Sequence, residues 1–490
     1  MGYELRARQA GCEQSAGFLA ADMGYGHWRA IRAAAYGLQS VDLPLGIDIV
    51  NFTHFSSKAL ATYWKLEDMG LAWMYRHPKF LGKVKSLGGE RGTATLTDRF
   101  PRILDNGHLH SNLDGNYSPL IAGHTTPSAL LEKPHITLVC DPEPSLYLNY
   151  NPHATFIVVD RETGERLREL RQEKRVPTEY VVVGPMVAPE IVHARANFEK
   201  RKEELLKGAP LRITIATGGS HTHAEQIIAL AEAYARSMLQ GAPIEELNIV
   251  VGNGRHLDSK KMHEAISITK DQLLHDVAQK IKLIQLPDSL ELVSAADEAM
   301  GRSDVIHGKT GELVYTVAGG KVFHTLTPAG LAHQENCLAR FAHLVTKEGI
   351  EKIVHRFLIS ELNLEVTDDR YASAKKRIEA FLNRRYEHHF GSASGTVAKR
   401  GRATISSLAF ELIRLAGEQG NWPDIAGLEN EIRNAPSALA LGHQDPSQEV
   451  QTILEQHESG ALIHRMTLGT QMSADGPLQL GEFIRKMYFN

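Results

Sequence analysis

Short runs of consecutive apolar residues, many of them β-branched, recur through the first two hundred positions, and each ends at a polar residue or glycine. Continuous rather than alternating hydrophobicity predicts strands that are buried on both faces, as in a parallel sheet. The intervening segments have the length of helical crossovers. The predicted strands cover residues 18–22, 46–50, 136–140, 155–159 and 180–183.

A second series of the same kind begins after the highly charged stretch NFEKRKEELLK at residues 197–207. A chain of 490 residues is too long for one core, because single cores stop growing near roughly 250–300 residues. We therefore predict an α/β fold with two doubly wound, Rossmann-like domains. The predicted strands of the second series cover residues 211–216, 247–251, 281–284, 304–307 and 322–326.

These two series place an N-terminal domain at residues 1–196 and a C-terminal domain at 197–357. Within the first domain, residues 57–88 have a helical pattern, whereas residues 89–117 are polar and typical of a loop. Beyond residue 357 the pattern is polar and helical, broken by GSASG at 391–395. We therefore predict a mostly helical C-terminal extension over residues 358–490.

The overall composition excludes several classes of protein. The net charge is −4, so no basic field is present to attract nucleic acid. The three cysteines, Cys12, Cys140 and Cys337, have no paired spacing, which argues against disulfides and for a reducing compartment. No apolar run approaches the roughly 20 residues of a membrane span, and the N-terminus lacks the apolar core of a signal peptide. We expect a cytoplasmic protein, and its oligomeric state is not predictable.

The stretch LAWMYRHPKFLGKVK at residues 71–85 mixes aromatic with basic residues. A basic amphipathic helix of this kind is able to lie in a membrane surface, which would make the protein peripheral at the membrane. A helix packed against its own domain explains the pattern equally well.

The first candidate site follows the first predicted strand, where Gly24 and Gly26 precede His27. Two glycines allow the backbone to approach a ligand, and a histidine with a pKa near neutral is suited to act as a general base. The alternative is that the glycines only form the turn and His27 caps or packs. The third glycine of the dinucleotide-binding fingerprint does not follow at its expected spacing.

A second glycine turn, Gly218-Gly219-Ser220, follows the first strand of the second series. Its backbone N–H groups and hydroxyl suit a diphosphate, although an ordinary turn is the simpler explanation. His221 and His223 come next, but no third metal ligand is recognisable, so we predict no metal site.

Two further turns follow later strands of the second series. Lys309, Thr310 and Gly311 open a helix, where the lysine and free N–H groups favour a phosphate. Gln334, Glu335 and Asn336 crowd a predicted helix start and are able to bind sugar and ribose hydroxyls. Capping and turn formation are the alternatives for each.

The order of these motifs along the chain is similar to that of a known protein family. A glycine-turn histidine is followed by VCDPE, VVVGPMV, TGGS, VVGNGR, SDVIHGKTG and HQEN. This order resembles the GT-B glycosyltransferases related to monogalactosyldiacylglycerol synthase and to the transferase that adds N-acetylglucosamine to the lipid-linked peptidoglycan precursor. The resemblance spans residues 17–345, about two-thirds of the chain.

The resemblance implies a role for each matching position. Gly24, Gly26 and His27 match the N-terminal glycine-rich loop, in which the histidine is a candidate catalytic base. Outside the matched positions, the carboxylate of Asp141 is a second candidate for that role. The donor diphosphate is expected at Gly218, Gly219 and Ser220. Gly311 matches the glycine that opens the donor-binding helix, and Lys309 and Thr310 precede it. Gln334 and Asn336 match the polar pair that faces the donor sugar, and Glu335 lies between them in the sequence.

The implied reaction moves a sugar from a nucleotide-diphospho-sugar, with a UDP-sugar as the expected donor, to the hydroxyl of a lipid or small-molecule acceptor. No obligatory metal or cofactor is implied, because backbone N–H groups and Lys309 would stabilise the departing diphosphate. A nucleotide-sugar 2-epimerase-like enzyme is one alternative. A non-catalytic nucleotide-binding protein is another, because Thr316 or Val317 replaces the glutamate with which the family grips the ribose.

Overall fold

The computed structural model describes a large part of the chain. The described residues are 5–7, 14–21, 25–66, 100–113, 115–140, 144, 148–216, 224–251, 264–267, 275–285, 289–308, 316, 318–326, 369, 372–373, 376, 445–460, 462–463, 466–467, 470 and 473–489. The predicted membrane-contact segment at 71–85 lies outside them.

The first sheet is built from strands whose central residues are almost all buried. Its strands are β1 Leu5–Ala7, β2 Ser15–Ala20, β3 Gly46–Asn51, β4 Leu120–Ala122, β5 His135–Val139, β6 Ala154–Val158 and β7 Glu179–Val182. Their order across the sheet is β1-β3-β2-β4-β5-β6-β7, and β1 alone runs antiparallel to its neighbour. The chain therefore reverses its direction of winding between β2 and β4, and in such sheets ligands bind at the carboxyl ends of the strands on either side of that point.

The second sheet has five strands and is parallel throughout. Its strands are β8 Leu211–Ala216, β9 Ile244–Val251, β10 Ile281–Gln285, β11 Val305–Gly308 and β12 Val322–Thr325. The order β10-β9-β8-β11-β12 gives a second reversal, between β8 and β11. The predicted α/β class with two separate, mainly parallel sheets is confirmed.

Helices connect the strands and cover both sheets. They are α1 Tyr25–Gln39, α2 58–66, α3 Phe100–Asp105, α4 His108–Leu113, α5 Thr125–Leu130, α6 Arg161–Gln172, α7 Pro189–Ala196, α8 Phe198–Leu206, α9 Ala224–Leu239, α10 His275–Lys280, α11 Ser289–Arg302, α12 Pro446–Glu458 and α13 Gly476–Tyr488. A short 3₁₀ turn, Phe52–His54, follows β3. The predicted domain boundary at 196/197 falls between α7 and α8, after the last strand of the first sheet and before the first strand of the second.

The loop predicted for residues 89–117 is wrong over residues 100–113, where α3 and α4 form. Each of these helices has only six residues, so its sequence has little helical periodicity. A buried carboxylate stabilises them instead: Asp105 accepts hydrogen bonds from the backbone N–H of Leu109 at 2.8 Å and of Ser57 at 2.9 Å. That tertiary contact is not visible in the local sequence.

Two described helices of the C-terminal extension pack on helices of the two domains rather than standing apart. Helix α12 lies against α9 of the second domain, and α13 lies against α1 of the first. The α1–α13 contact requires glycine, because a Cβ at Gly37 would lie 1.9 Å from the carbonyl oxygen of Pro477. A Cβ at Gly481 would likewise lie 2.5 Å from the carbonyl oxygen of Gly37.

An ion cluster joins α1 of the first domain to α11 of the second. Asp297, which is fully buried, accepts from Arg29 and, at 2.9 Å, from Nη1 of Arg32. Arg32 also pairs with Glu190 of α7. Burial raises the pKa of Asp297 from 3.8 to about 6 although both arginines lower it, so desolvation outweighs the attraction and the carboxylate is still ionised at pH 7.

We expect Asp297→Ala to lower the free energy of unfolding by about 3–5 kcal/mol, because it leaves the buried guanidinium of Arg29 without its carboxylate. Urea unfolding at pH 7 measures the change. The matched control is Glu298→Ala, the neighbouring acid, whose exposed pair with Arg302 is worth no more than about 1 kcal/mol. Equal losses in the two variants would contradict a stabilising role for the interdomain cluster.

Candidate functional site

His27 lies at the reversal point of the first sheet. It is the third residue of α1, which follows β2, and its Nδ1 lies 3.0 Å from the carbonyl oxygen of Gly123, the residue that follows β4. Gly123 lets α1 approach this closely, because a Cβ there would lie 2.5 Å from Cγ1 of Ile31. The carboxyl ends of β2 and β4 therefore meet at His27.

The hydrogen bond to Gly123 fixes the tautomer of His27. A carbonyl oxygen only accepts, so Nδ1 carries the proton and Nε2 of the neutral ring carries the lone pair. Burial lowers the pKa of His27 from 6.5 to about 4, against the Gly123 hydrogen bond, which raises it. The unperturbed pKa of histidine lies near neutral, and enclosure of the ring at the sheet edge lowers it here. The ring is neutral at pH 7.

His124 is a second histidine at this point, and no sequence pattern predicts its role. Its Nδ1 accepts a hydrogen bond from the backbone N–H of Thr126 at 3.1 Å, which makes it the N-cap of α5. Nε2 therefore carries the proton in the neutral ring. The rings of His27 and His124, hereafter the imidazole pair, pack edge to face with centroids 4.6 Å apart. Burial, with a smaller contribution from His27, holds the pKa of His124 well below 6.5.

Aromatic residues form one wall of the imidazole pair. Trp64 of α2 packs edge-on against His124, with centroids 5.2 Å apart, and against Phe52 at 4.9 Å. Trp64 is only 3% exposed, and its Nε1–H has no hydrogen-bond partner in the part of the chain that the structure describes. Buried donors without a partner are uncommon and mark places where a ligand or water completes the site.

A buried polar network joins α5 to strand β5. His135 donates from Nδ1 to the carbonyl oxygen of Lys133 at 2.8 Å, and its Nε2 lies 3.0 Å from Oγ of Ser128. The arrangement has the form of a nucleophile and its base. Both side chains are almost completely buried, however, and Oγ of Ser128 also bonds Thr137 at 2.6 Å. This network fixes the position of α5 against β5.

Most of the predicted site residues lie outside the described residues. Gly26 is the second residue of α1, beside His27. The residues outside the description are Gly24, Asp141, Gly218, Gly219, Ser220, Lys309, Thr310, Gly311, Gln334, Glu335 and Asn336. The strands that lead into the three predicted donor segments are β8, β11 and β12, which are neighbours in the sheet and end at the same edge.

A buried cluster that the sequence did not reveal lies one residue before that edge. His307 of β11 and His324 of β12 are register partners, and their Nδ1 atoms lie 3.1 and 3.3 Å from Oε1 of Glu449 in α12. Nε2 of His307 lies 2.6 Å from the hydroxyl of Tyr234. Burial alone would raise the pKa of Glu449, but the two histidines outweigh it and hold the pKa well below its usual value.

The described residues contain no group of three or more side chains that could hold a metal ion. Among them there is also no helix long and apolar enough to cross a membrane.

We expect acid to destabilise the first domain through its buried neutral histidines. Burial lowers the pKa of His135 from 6.5 to about 4, so between those values the unfolded chain binds a proton that the native state does not. Stability therefore falls as the pH falls, by about 2 kcal/mol between pH 7 and pH 5 for this residue. Urea titrations of the wild type and of His135→Gln at both pH values measure the difference.

The His135→Gln variant should lose less stability on acidification than the wild type. The exposed His153→Gln reports the general effect of exchanging a histidine for glutamine. If wild type and His135→Gln lose the same amount, the buried ring does not resist protonation.

The chain matches no protein-family model, no curated protein sequence and no solved structure. The fold and the geometry of the imidazole pair therefore carry the functional argument.

Proposed function

We propose that this protein is a glycosyltransferase that moves a sugar from a nucleotide-diphospho-sugar, with a UDP-sugar as the donor, to the hydroxyl of an acceptor. The observation that carries the proposal is the position and tautomer of His27. Its ring lies at the reversal point of the first sheet, where α/β sheets bind ligands, and its Nε2 has the lone pair that a general base needs.

The arrangement of the second sheet supports a donor site at its carboxyl edge. Strands β8 and β11 flank the reversal point, and the segments that follow them contain Gly218-Gly219-Ser220 and Lys309-Thr310-Gly311. Glycine turns and a lysine at such an edge suit a diphosphate. On this proposal the acceptor binds at the first sheet and the donor binds at the second.

The reaction proceeds in one displacement on this proposal. The acceptor oxygen attacks the anomeric carbon as its hydroxyl proton moves to Nε2 of His27. The bond between that carbon and the diphosphate oxygen breaks, and its electron pair leaves with the diphosphate. Lys309 and backbone N–H groups are the expected partners of the departing anion.

A pKa of about 4 makes His27 a weak base that is neutral throughout the physiological range. The diphosphate favours the imidazolium that forms, because an opposite charge nearby raises the pKa of a histidine. The ion cluster of α1 also holds the helix that carries His27 against α11 of the second domain.

We expect His27→Ala to lower the rate of acceptor-dependent nucleotide release by roughly 10²–10⁴-fold, the usual contribution of a general base. The measurement is nucleotide release from UDP-glucose, UDP-galactose and UDP-N-acetylglucosamine, with and without alcohol acceptors. His54→Ala, an exposed histidine that follows β3, is the matched control. A loss of less than about threefold in His27→Ala would remove the residue as the base.

Two other outcomes of the same assay would overturn the proposal. A new nucleotide sugar formed from UDP-N-acetylglucosamine without acceptor would identify a 2-epimerase-like enzyme. Tight binding of the nucleotide sugar with no turnover would identify a non-catalytic nucleotide-binding protein.

We expect Lys309→Ala and Gln334→Ala to weaken nucleotide binding, because the lysine neutralises phosphate charge and the glutamine binds sugar hydroxyls. The effect of Lys309→Ala should be larger at low salt, since partly exposed charge pairs are screened. Calorimetric titration with UDP, GDP and their sugar conjugates measures it, with the exposed Lys200→Ala as control. Unchanged affinity in both variants would contradict the donor-site assignment.

A further inference from the structure

Three charged residues lie side by side at the amino edge of the second sheet, opposite the edge where the donor is expected. Asp304 and Lys321 directly precede β11 and β12, and Arg212 is the second residue of β8. The register of these three strands places the residues next to one another. The backbone N–H of Asp304 donates to the carbonyl oxygen of Arg212 at 2.7 Å, and that of Val322 donates to the carbonyl oxygen of Asp304 at 2.9 Å.

The carboxylate of Asp304, which is fully buried, is held by an arginine of α8. Its Oδ1 accepts from Nε of Arg201 at 2.9 Å, and its Oδ2 accepts from Nη2 of Arg201 at 2.6 Å. Oδ2 also accepts from the backbone N–H of Arg212 at 2.9 Å. Arg201 therefore balances the negative charge of Asp304.

Lys321 is a second buried cation at this edge. The residue is only 7% exposed, and in the part of the chain that the structure describes its ammonium group forms no hydrogen bond and no ion pair. Lysines are almost never buried without a partner, because an isolated buried charge is costly. The position of Lys321 thus calls for a group that pairs with it or removes its charge.

The surroundings make the amine of Lys321 reactive. Burial lowers the pKa of Lys321 from 10.5 to about 8. Asp304 opposes this shift, whereas Arg201 and Arg212 add to it. At pH 7.5 roughly a quarter of the amine is therefore neutral, against about 0.1% for an ordinary lysine.

The other charged or ionisable groups described around Asp304 leave the balance of the buried charges positive. Glu204 and Glu245 pair with the two arginines at 3.1 and 3.0 Å, and both are partly exposed. His457 of α12 is buried, and burial lowers its pKa from 6.5, so the ring carries no charge at pH 7.

We propose that Lys321 is a modification site, at which the neutral amine combines with carbon dioxide to form a carbamate that pairs with the guanidinium groups of Arg201 and Arg212. Carbon dioxide is small and uncharged, so it enters a buried site without the cost of desolvating an ion. The modification exchanges a cation that lacks a partner for an anion next to two cations. It is independent of the proposed glycosyl transfer.

The reaction needs no other reactant. The lone pair of Nζ attacks the carbon of carbon dioxide, and an N–C bond forms. One π bond between that carbon and an oxygen breaks, and its electron pair stays on the oxygen. One proton leaves Nζ to solvent, so the product is a carbamate with a single negative charge.

The test supplies ¹³C-labelled carbon dioxide to the full chain at pH 8 and records ¹³C NMR spectra. We expect a carbamate resonance that is lost in Lys321→Met and in Lys321→Arg, the second of which keeps the positive charge. Alkylation with a trialkyloxonium salt converts the carbamate into a stable ester, which peptide mass spectrometry should locate on Lys321. At a fixed pressure of carbon dioxide the occupancy should fall as the pH is lowered, because protons compete for the amine.

A second pair of variants tests the role of the guanidinium groups. Arg212→Gln should lower the occupancy by about threefold or more, because the loss of a nearby cation both raises the pKa of the amine and weakens the hold on the anion. Arg302→Gln, which removes a similarly exposed ion pair with Glu298, should leave the occupancy unchanged. A resonance that persists at full intensity in both Lys321 variants would overturn the proposal. A trapped ester found only on other lysines or on the α-amino group, which also forms carbamates, would overturn it as well.

Discussion

A buried carboxylate between two arginines sets the relation of the two domains. Asp297 of α11 accepts from Arg29 and Arg32 of α1, so a helix of the first sheet is held to a helix of the second. Residues two apart on a helix point to nearly opposite sides. His27 can therefore face Gly123 and His124 of its own domain while Arg29 faces the other domain. Helix α1 thus positions the candidate base, and its ion pairs join it to α11 of the domain where the donor is expected.

Two helices near the C-terminus also contact the two domains. Helix α13 packs on α1 through contacts so close that Gly37 and Gly481 leave no room for a Cβ. Leu480 and Ile484 of α13 enter the first core together with Val293 of α11. In the second domain Glu449 of α12 lies against two strand histidines. The last segment of the chain therefore braces both sheets, although its sequence contains no motif that indicates either contact.

The sequence predicts those elements whose residue pattern follows from their own burial. The apolar run at 211–216 is strand β8 at the predicted bounds, because a buried parallel strand must be apolar on both faces. Strand β4 was missed because it has three residues, and His124 was missed with it, since its role depends on following a strand. Asp105 and Glu449 could not be predicted either, because their partners are distant in sequence. The glycine pattern did select His27, but the pKa of an enclosed ring depends on residues nearly a hundred positions away.

The low pKa of His27 gives the proposed reaction an order. A ring with a pKa of about 4 is a poor base while the site holds only the acceptor, because the imidazolium would be desolvated beside His124. An anionic diphosphate brought within about 4–6 Å favours the charged ring and raises its pKa. The base would then become strong enough to act only when the donor is bound. On the proposed function, a neutral imidazole pair on one sheet and a donor site at the edge of the other would couple proton removal to the presence of the leaving group.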